Sequence, residues 1–334
     1  MTSAPLLELR AVSKRFVKPL DTAARIARTL GANLREERVQ AVDGVTLAVS
    51  HGEVVGLVGE SGCGKSTLGR IAVGLHAPTE GARLWKGQDV TSLGGAERAR
   101  VQLAIQMIFQ DPYASLNPRK RAEDIVGEAP VVHGLVRSAE KRDYVASLFA
   151  RVGLDASLMR RFPHQFSGGQ RARIGIARAL AVRPEFLVCD EAVAALDVSI
   201  QAQVLNLFAE LRRDLGLTYL FISHDLGVVR YLADRVAIMY LGRIVESGPT
   251  EALFASPNHP YTQALLAEVP RLDARHKRFV AIKGEIPSPL APPPGCHFHP
   301  RCPHAMPRCK IEKPALQEIA PGRLSACFLN EGKG

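Results

Sequence analysis

The hydrophobic pattern of this chain combines short apolar runs, typical of buried strands, with longer stretches whose apolar residues recur three or four positions apart, typical of helices. Predicted strands occupy residues 6–12, 42–49, 54–58, 82–85, 105–109, 186–189 and 218–222. Predicted helices follow residue 67 and occupy most of 122–161, 167–180 and 200–215. A stretch at 21–38 is rich in Arg and Ala with apolar residues four apart, which predicts an exposed amphipathic helix, an insertion of unknown use.

The segment between strand 54–58 and the next helix fits the pattern G-x-x-x-x-G-K-[ST]. Glycines let successive backbone N–H groups converge on phosphate oxygens, and the helix N-terminus adds a favourable dipole. Lys65 can reach the β- and γ-phosphates, and the Ser66 hydroxyl suits a Mg²⁺ ion. The alternative is a glycine turn with a chance Lys-Ser pair, and the motif alone does not separate a kinase, a GTPase and a motor. The predicted nucleotide site comprises Gly59, Glu60, Ser61, Gly62, Cys63, Gly64, Lys65, Ser66 and Thr67.

Two carboxylates and a histidine stand at the ends of later strands. Asp190 closes the apolar run 186–189, where it would hold Mg²⁺, and Glu191 could polarise an attacking water. His224 follows strand 218–222, where it could contact a γ-phosphate. The alternatives are a solvated strand end and a structural histidine, and the preceding nucleotide motif favours the site interpretation.

Two further features have a functional and a structural interpretation. Phe16 precedes the nucleotide motif and either stacks on a base or packs at the edge of the core. Ser167 suits the N-cap of the helix that follows, so the glycine-led start Ser167, Gly168, Gly169 and Gln170 is either a second anion site or a simple turn.

Length and composition fit one large domain with an extension, or two domains, because the chain has 334 residues of which 46% are hydrophobic. No run of about 18 apolar residues occurs, so we expect no membrane span. The first residues do not read as a secretory signal, so a cytosolic protein is expected. Residues 271–334 hold eleven Lys and Arg against five Asp and Glu, and carry +6 of the net charge of +10. A basic surface alone does not choose among nucleic acid, anionic lipid and solubility.

Taken together, these motifs resemble the ATPase subunit of an ABC transporter over about residues 5 to 260. The resemblance implies an α/β fold of the P-loop NTPase class, with a RecA-like core and antiparallel β and α-helical subdomains, the helical one at about 111–180. It implies ATP and Mg²⁺ as ligands and an adenine-stacking role for Phe16. The motifs follow one another in the order typical of this family. A Walker A loop at 59–67 is followed by a Q-loop with Gln110, which also contributes to the metal site, and by the signature 166–170. A Walker B strand ending at Asp190 and Glu191, a D-loop with Asp197 and a switch histidine at His224 complete the set.

The mechanism that this resemblance implies is a head-to-tail dimer of ATPases, in which each ATP lies between the P-loop of one subunit and the Ser167–Gln170 element of the other. One departure from the family pattern follows Glu191, where Ala192, Val193 and Ala194 replace the usual proline, threonine and serine. None of these is a phosphate or metal ligand, so catalysis is retained and packing near the D-loop is expected to change.

A narrower resemblance is to the F-type ATPase of oligopeptide and dipeptide importers. It rests on segments 109–119, 259–266 and 284–289. It implies an ATP-binding domain at 1–260 and an importer-type extension at 261–334. The implied partners are a second, D-type ATPase, two transmembrane permeases and, indirectly, an extracytoplasmic solute-binding protein, with the chain at the cytoplasmic face of the membrane. Nickel and glutathione remain alternative solutes, and a soluble ABC ATPase acting on DNA or ribosomes is the alternative function, although one ABC domain and the importer-like tail argue against nucleic acid.

Four cysteines lie in the Pro- and His-rich tail with the spacing C-x5-C-x6-C-x17-C, namely Cys296, Cys302, Cys309 and Cys327. A segment with so little apolar material needs a cross-link to be ordered. Disulfides do not suit a reducing cytosol, and the C-x2–4-C pair usual for zinc is missing. The spacing is not that of ferredoxins either. A [4Fe–4S] cluster, zinc and free thiols all remain open, and the resemblance to dipeptide-importer ATPases favours the cluster.

Overall fold

A computed structural model describes residues 4–19, 36–111, 113–267 and 284–331 of the chain. The described strands are β1 (Leu7–Lys18), β2 (Glu37–Val49), β3 (Val54–Val58), β4 (Glu80–Trp85), β5 (Gln88–Asp89), β6 (Ile105–Ile108), β7 (Phe186–Asp190), β8 (Thr218–Ser223), β9 (Arg235–Tyr240), β10 (Arg243–Pro249), β11 (Gln317–Ala320) and β12 (Arg323–Ser325). The described α-helices are α1 (Lys65–Val73), α2 (Gly95–Ala104), α3 (Ala122–Val132), α4 (Lys141–Arg151), α5 (Gly168–Leu180), α6 (Val198–Leu215), α7 (Leu226–Leu232), α8 (Thr250–Ala255) and α9 (Pro260–Ala267).

Eight of the described strands form the central sheet, in the order β11-β12-β10-β9-β3-β8-β7-β6. Its strands β9, β3, β8, β7 and β6 are parallel neighbours, so their carboxyl ends meet at one edge. Strands β3, β7 and β8 are buried along their whole length, as expected for a parallel sheet that is covered on both faces. A second, antiparallel sheet has the order β2-β1-β4-β5. The predicted α/β class with a P-loop core and an antiparallel β-subdomain is therefore confirmed.

The helical part of the chain packs around its own apolar core. Helices α3, α4 and α5 contact one another. Val145, Leu148 and Phe149 of α4 are buried, as is Val152 directly after it. A separate apolar cluster lies between the two sheets and includes Leu9, Val55, Leu68 and Met239. Helix α1 contributes residues to this second cluster. The glycine loop that precedes α1 is therefore anchored where the two sheets pack together.

The sequence located seven of the twelve described strands and missed β5, β9, β10, β11 and β12. It also ended β1 six residues too early, at residue 12 and not Lys18, and placed the start of β2 wrongly. The predicted helix at 21–38 lies mostly outside the described residues, and its last residues, Glu37 and Arg38, are part of β2. Strand β2 extends beyond the apolar run because it pairs with β1 as far as Lys18, and this pairing overrides the local helical pattern. After Glu191, Ala192 and Val193 are buried in the core, where their small apolar side chains suit the packing.

The C-terminal residues add to the central sheet. Strand β12 pairs antiparallel with β10, and β11 pairs with β12. The buried carboxylate of Glu246 in β10 accepts the backbone N–H groups of Asn258 and His259 at 2.9 and 2.8 Å. None of the described helices is both long and apolar enough to cross a membrane.

Candidate functional site: a nucleotide loop and a cysteine cavity

The glycine loop connects the end of β3 to the start of α1, at the carboxyl edge of the parallel strands. Two of its glycines are required by close backbone approaches. A Cβ on Gly59 would lie 2.1 Å from the carbonyl oxygen of Met239, and a Cβ on Gly64 would lie 2.1 Å from that of Ala41. Gly64 also has a φ of 106°, a conformation that side chains disfavour. Any larger residue at these two positions would displace the loop.

The C-terminal end of the loop carries the two groups predicted for phosphate and metal, Lys65 and Ser66. The ammonium group of Lys65 is buried and donates to the carbonyl oxygens of Gly59 and Glu60 at 2.7 and 3.0 Å. The hydroxyl of Ser66 donates to Oδ1 of Asp190 at 2.9 Å. Burial raises the pKa of Asp190, and the hydrogen bond from Ser66 opposes this rise. A hydroxyl oxygen beside a buried carboxylate oxygen provides the type of oxygen ligands that suit Mg²⁺.

The other members of the loop differ in exposure. Ser61 and Gly62 are exposed, whereas Thr67 is half-buried at the start of α1. The Cys63 thiol is buried, and burial raises its pKa. Within the loop, Ser61 and Gly62 are therefore the residues most open to solvent.

The carboxylate of Glu191 lies close to both Gln110 and His224, which the sequence predicted for the same site. Its Oε2 accepts a hydrogen bond from Nε2 of Gln110 at 2.8 Å and lies 3.4 Å from Nδ1 of His224. Glu191 has a φ of 48°, and its N–H donates to the carbonyl of Ile222 on β8. Non-glycine residues with positive φ cost energy and cluster at functional sites. A carboxylate, an amide and an imidazole thus converge at the edge where β7 and β8 end.

Gln110 is directed to Glu191, and no contact joins it to Ser66 or Asp190 among the described residues. Its predicted participation in the metal site is therefore not apparent in this geometry and stays a prediction.

Phe16 lies on β1 with its side chain partly exposed, at 39%. The ring meets His76 edge-on, with centroids 5.5 Å apart, and Nζ of Lys14 lies 5.3 Å from its centroid. One face of an aromatic ring that is not packed into the core can stack on a base.

The glycine-led helix start belongs to α5, where Ser167 is the N-cap. Its hydroxyl accepts from the N–H of Gln170, and the side chain of Gln170 accepts from the N–H of Ser167, at 3.3 and 3.0 Å. Gly168 is exposed, and a Cβ on Gly169 would lie 2.5 Å from Ile200 of helix α6. Asp197 is the exposed N-cap residue of α6 and makes no side-chain capping bond. The signature and the D-loop therefore lie together.

The four tail cysteines line a single cavity, which we call the cysteine cavity, together with Phe298, His259 and other residues. Burial raises the pKa of Cys296 to about 11 and also raises the pKa of Cys302 and Cys327. In the described ranges no group of three or more histidine, cysteine or acidic side chains is arranged to hold a metal ion. The cavity volume of about 20 Å³ is room for one small species, so an iron–sulfur cube would require the cysteines to move apart.

Two residues of the site escaped the sequence prediction. Arg301 forms a two-pronged ion pair with the carboxylate of Glu60, at 2.8 and 3.0 Å, and the hydroxyl of Tyr261 accepts from the N–H of Glu60 at 3.0 Å. Both lie about 200 residues or more from the loop in sequence. No local pattern identifies them, because the contact exists only after the tail has packed on the core.

Comparison with known proteins agrees with this geometry. The ABC transporter family model matches residues 42–194, and the model of the oligopeptide/dipeptide transporter C-terminal region matches residues 245–309. The oligopeptide transport ATP-binding protein AppF of Bacillus subtilis is 51% identical, with 97% of both chains covered. The dipeptide transport ATP-binding protein DppF of Haemophilus influenzae is 47% identical, covering 89% of this chain and 91% of the relative.

A similar solved structure is the ATP-binding cassette MJ0796 in a dimeric post-hydrolysis state with ADP and Pi. Its TM-score is 0.62 and its identity 27%, with 73% of this chain and 98% of that chain covered. The fold and the loop geometry define an ABC ATPase. The chain belongs to the ABC transporter family and, within it, to the oligopeptide/dipeptide transport ATP-binding proteins.

Proposed function

We propose that this chain is the ATPase subunit of an importer for dipeptides or oligopeptides, and that it couples ATP hydrolysis to transport. The observation that carries the proposal is the convergence of Lys65, Ser66 and Asp190 at one end of the parallel sheet with Glu191 beside them. The transport names of relatives that cover nearly the whole chain support peptides as the solute. Nickel and glutathione are the alternative solutes.

Each residue has a role in this proposal. The loop from Gly59 to Thr67 holds the phosphates, Ser66 and Asp190 hold Mg²⁺, and Phe16 stacks on adenine. Glu191 acts as general base toward the attacking water, with Gln110 orienting its carboxylate and His224 placed toward the γ-phosphate. The bound Mg²⁺ would supply charge neutralisation, while the chain supplies positioning.

The exposed signature residues support a role in a dimer. Ser167 and Gly168 are exposed at the N-terminus of α5, so the signature would cover the ATP of a partner subunit. In this arrangement ATP binding closes the dimer and hydrolysis reopens it. The partner is a D-type ATPase, and Asp197 lies at the same interface.

The chain works in an assembly at the cytoplasmic face of the membrane. Two permease subunits span the bilayer, and a solute-binding protein delivers the peptide from the other side. The ATP-binding domain spans 1–260, and the extension spans 261–334. No nucleic acid takes part in this function.

The four cysteines are proposed to hold a [4Fe–4S] cluster, with zinc as the alternative. All four cysteines border one cavity, which would have to widen to hold the cluster, and a bound cation would offset the burial that raises the pKa of Cys296. Anaerobic purification with iron, sulfide and zinc assays tests this proposal. Stoichiometric zinc excludes the cluster, and a metal-free tail that resists proteolysis excludes both metals.

The nucleotide site is tested by equilibrium binding of ATP with Mg²⁺ to the full-length chain and its Lys65→Ala variant. The variant should lose phosphate affinity, because the neutral side chain cannot reach the β- and γ-phosphates. An exposed control, Lys310→Ala, should bind ATP as the wild type does. Equal affinity of the Lys65→Ala variant and the wild type would contradict the assignment of the loop.

A further inference from the structure

Among the described hydrogen bonds and ion pairs, the extension contacts the loop at Glu60. Three parts of Glu60 are engaged at once. Its carboxylate pairs with Arg301, its N–H donates to the hydroxyl of Tyr261, and its carbonyl accepts from Lys65. Both Tyr261 and Arg301 come from beyond residue 260, so the extension fixes both the main chain and the side chain of one loop residue.

The ion pair is well shielded from solvent. The side chain of Arg301 is only 4% exposed, and that of Glu60 is 21% exposed. The hydrogen bonds to Glu60 raise the pKa of Arg301, so the guanidinium stays charged. A two-pronged arginine–carboxylate pair fixes orientation as well as charge. Removing one partner leaves the other charge poorly solvated, so the pair is costly to break.

The charge of Glu60 matters because the loop binds polyanions. A free carboxylate in a phosphate-binding loop repels the phosphates, and the repulsion is strong where the surroundings exclude water. Arg301 neutralises this carboxylate and turns it toward the extension. The pair therefore allows an acidic residue within a loop that must attract negative charge.

Arg301 is also tied to the cysteine cavity. It directly precedes Cys302, and its N–H donates to the carbonyl of Phe298, whose ring lines the cavity. Phe298 packs against Tyr240 and Tyr261, with centroid distances of 5.3 and 5.4 Å. The guanidinium lies over the ring of Tyr240 at 5.9 Å. Contacts from Phe298 in the cavity wall to Tyr240, and from Tyr240 to Arg301, thus connect the cavity to Glu60 of the loop.

We propose that Arg301 is a positioning residue for nucleotide binding, which neutralises and orients Glu60 and makes the affinity of the loop for ATP depend on the packing of the cysteine-bearing extension. This inference rests on the proposed nucleotide site. By linkage, nucleotide binding in turn stabilises the packed extension. The chemical class of ligand is a nucleoside triphosphate with Mg²⁺.

Binding of a nonhydrolysable ATP analogue with Mg²⁺ to the full-length chain tests this proposal. Arg301→Met keeps much of the side-chain volume and should weaken binding about 5- to 30-fold, the factor that a loss of about 1–2 kcal/mol produces, which lies within the usual coupling of contacting residues. The double variant Arg301→Met with Glu60→Gln should bind more tightly than Arg301→Met alone, because the unpaired carboxylate is gone. The control Lys313→Met removes another ion pair between extension and core, with Asp43, and should leave affinity unchanged.

Two outcomes would overturn the proposal: affinity of Arg301→Met within about twofold of the wild type, or a double variant no tighter than Arg301→Met. If Arg301→Met does not fold, Arg301→Lys replaces it, and amide exchange at residues 59–65 should become faster than in the Lys313→Met control. Unchanged exchange there would contradict the proposal. Loss of binding in Lys65→Ala with normal binding in Arg301→Met would refute this inference while leaving the nucleotide site intact.

Discussion

The side-chain amide of Gln110 donates a hydrogen bond to the carboxylate of Glu191, with Nε2 2.8 Å from Oε2. This contact joins the second residue after β6 to the residue directly after β7, and these are neighbouring strands of the parallel sheet. The amide fixes one oxygen of the carboxylate and leaves the other available as an acceptor. Because the position of a general base determines its efficiency, this geometry makes Glu191 the residue to test first.

Replacement of Glu191 by Gln should preserve ATP binding and reduce turnover by about 10²–10⁴, equivalent to roughly 3–5 kcal/mol of transition-state stabilisation. The amide cannot accept the proton of the attacking water. Single-turnover hydrolysis in the assembled transporter is the measurement. Glu185→Gln, just before the same strand, is the matched control and should retain activity, since Glu185 pairs only with Lys86 among the described ion pairs. Normal turnover in Glu191→Gln would mean that another group acts as the general base.

Replacement of Phe16 by Ala should weaken ATP binding by about 1–3 kcal/mol, which is the usual free-energy contribution of a base–aromatic stack. GTP should lose a similar amount, because a ring reads no donor or acceptor pattern. Binding of ATP, GTP and inorganic triphosphate is compared. The affinity for inorganic triphosphate should not change, because this ligand has no nucleobase to stack on the ring. Unchanged ATP affinity would return Phe16 to a purely structural role at the sheet edge.

Much of this site was predictable because its residues stand at strand ends and helix starts. The run 54–58 followed by glycines located the loop, and the run 186–189 located Asp190 and Glu191 beside it. The pairing of Glu191 with both Gln110 and His224 also follows from parallel strands ending at one edge. Local pattern and tertiary structure agree at these positions.

Other contacts could not be predicted, because they depend on distant packing. Arg301 and Tyr261 contact the loop from the far end of the chain, and a single arginine in a cysteine-rich tail has many possible partners. The boundary of β2 failed for a similar reason, since pairing with β1 extended the strand into a segment with helical periodicity. The low apolar content of the tail suggested a cross-link, while the cysteine spacing left a cluster, zinc and free thiols open. The structure brings all four cysteines to one cavity.

The buried His259 should make stability depend on pH. Burial lowers the pKa of its ring to about 4, below the unfolded value of about 6.5. The unfolded chain therefore takes up a proton first as the pH falls, and stability is lost between about pH 6.5 and pH 4. The loss should approach about 2 kcal/mol at pH 5 and about 3 kcal/mol in full.

Urea denaturation at several pH values measures this dependence. His259→Asn offers an acceptor for the N–H of Tyr261, which the histidine ring now accepts at 3.1 Å, and should flatten the acid limb of the profile. The exposed His51→Gln is the control and should keep the wild-type slope. An acid limb of equal steepness in His259→Asn and wild type would show that other groups cause the loss.

Uptake of a labelled dipeptide or oligopeptide tests the central claim most directly. Cells whose only copy of this subunit is the Glu191→Gln variant are compared with cells that express the wild type or Glu185→Gln, at matched levels of assembled complex. We predict that uptake is lost with Glu191→Gln and normal with Glu185→Gln, because transport requires hydrolysis at this site. Normal peptide uptake with Glu191→Gln would contradict the assignment of this chain as the ATPase that powers peptide import.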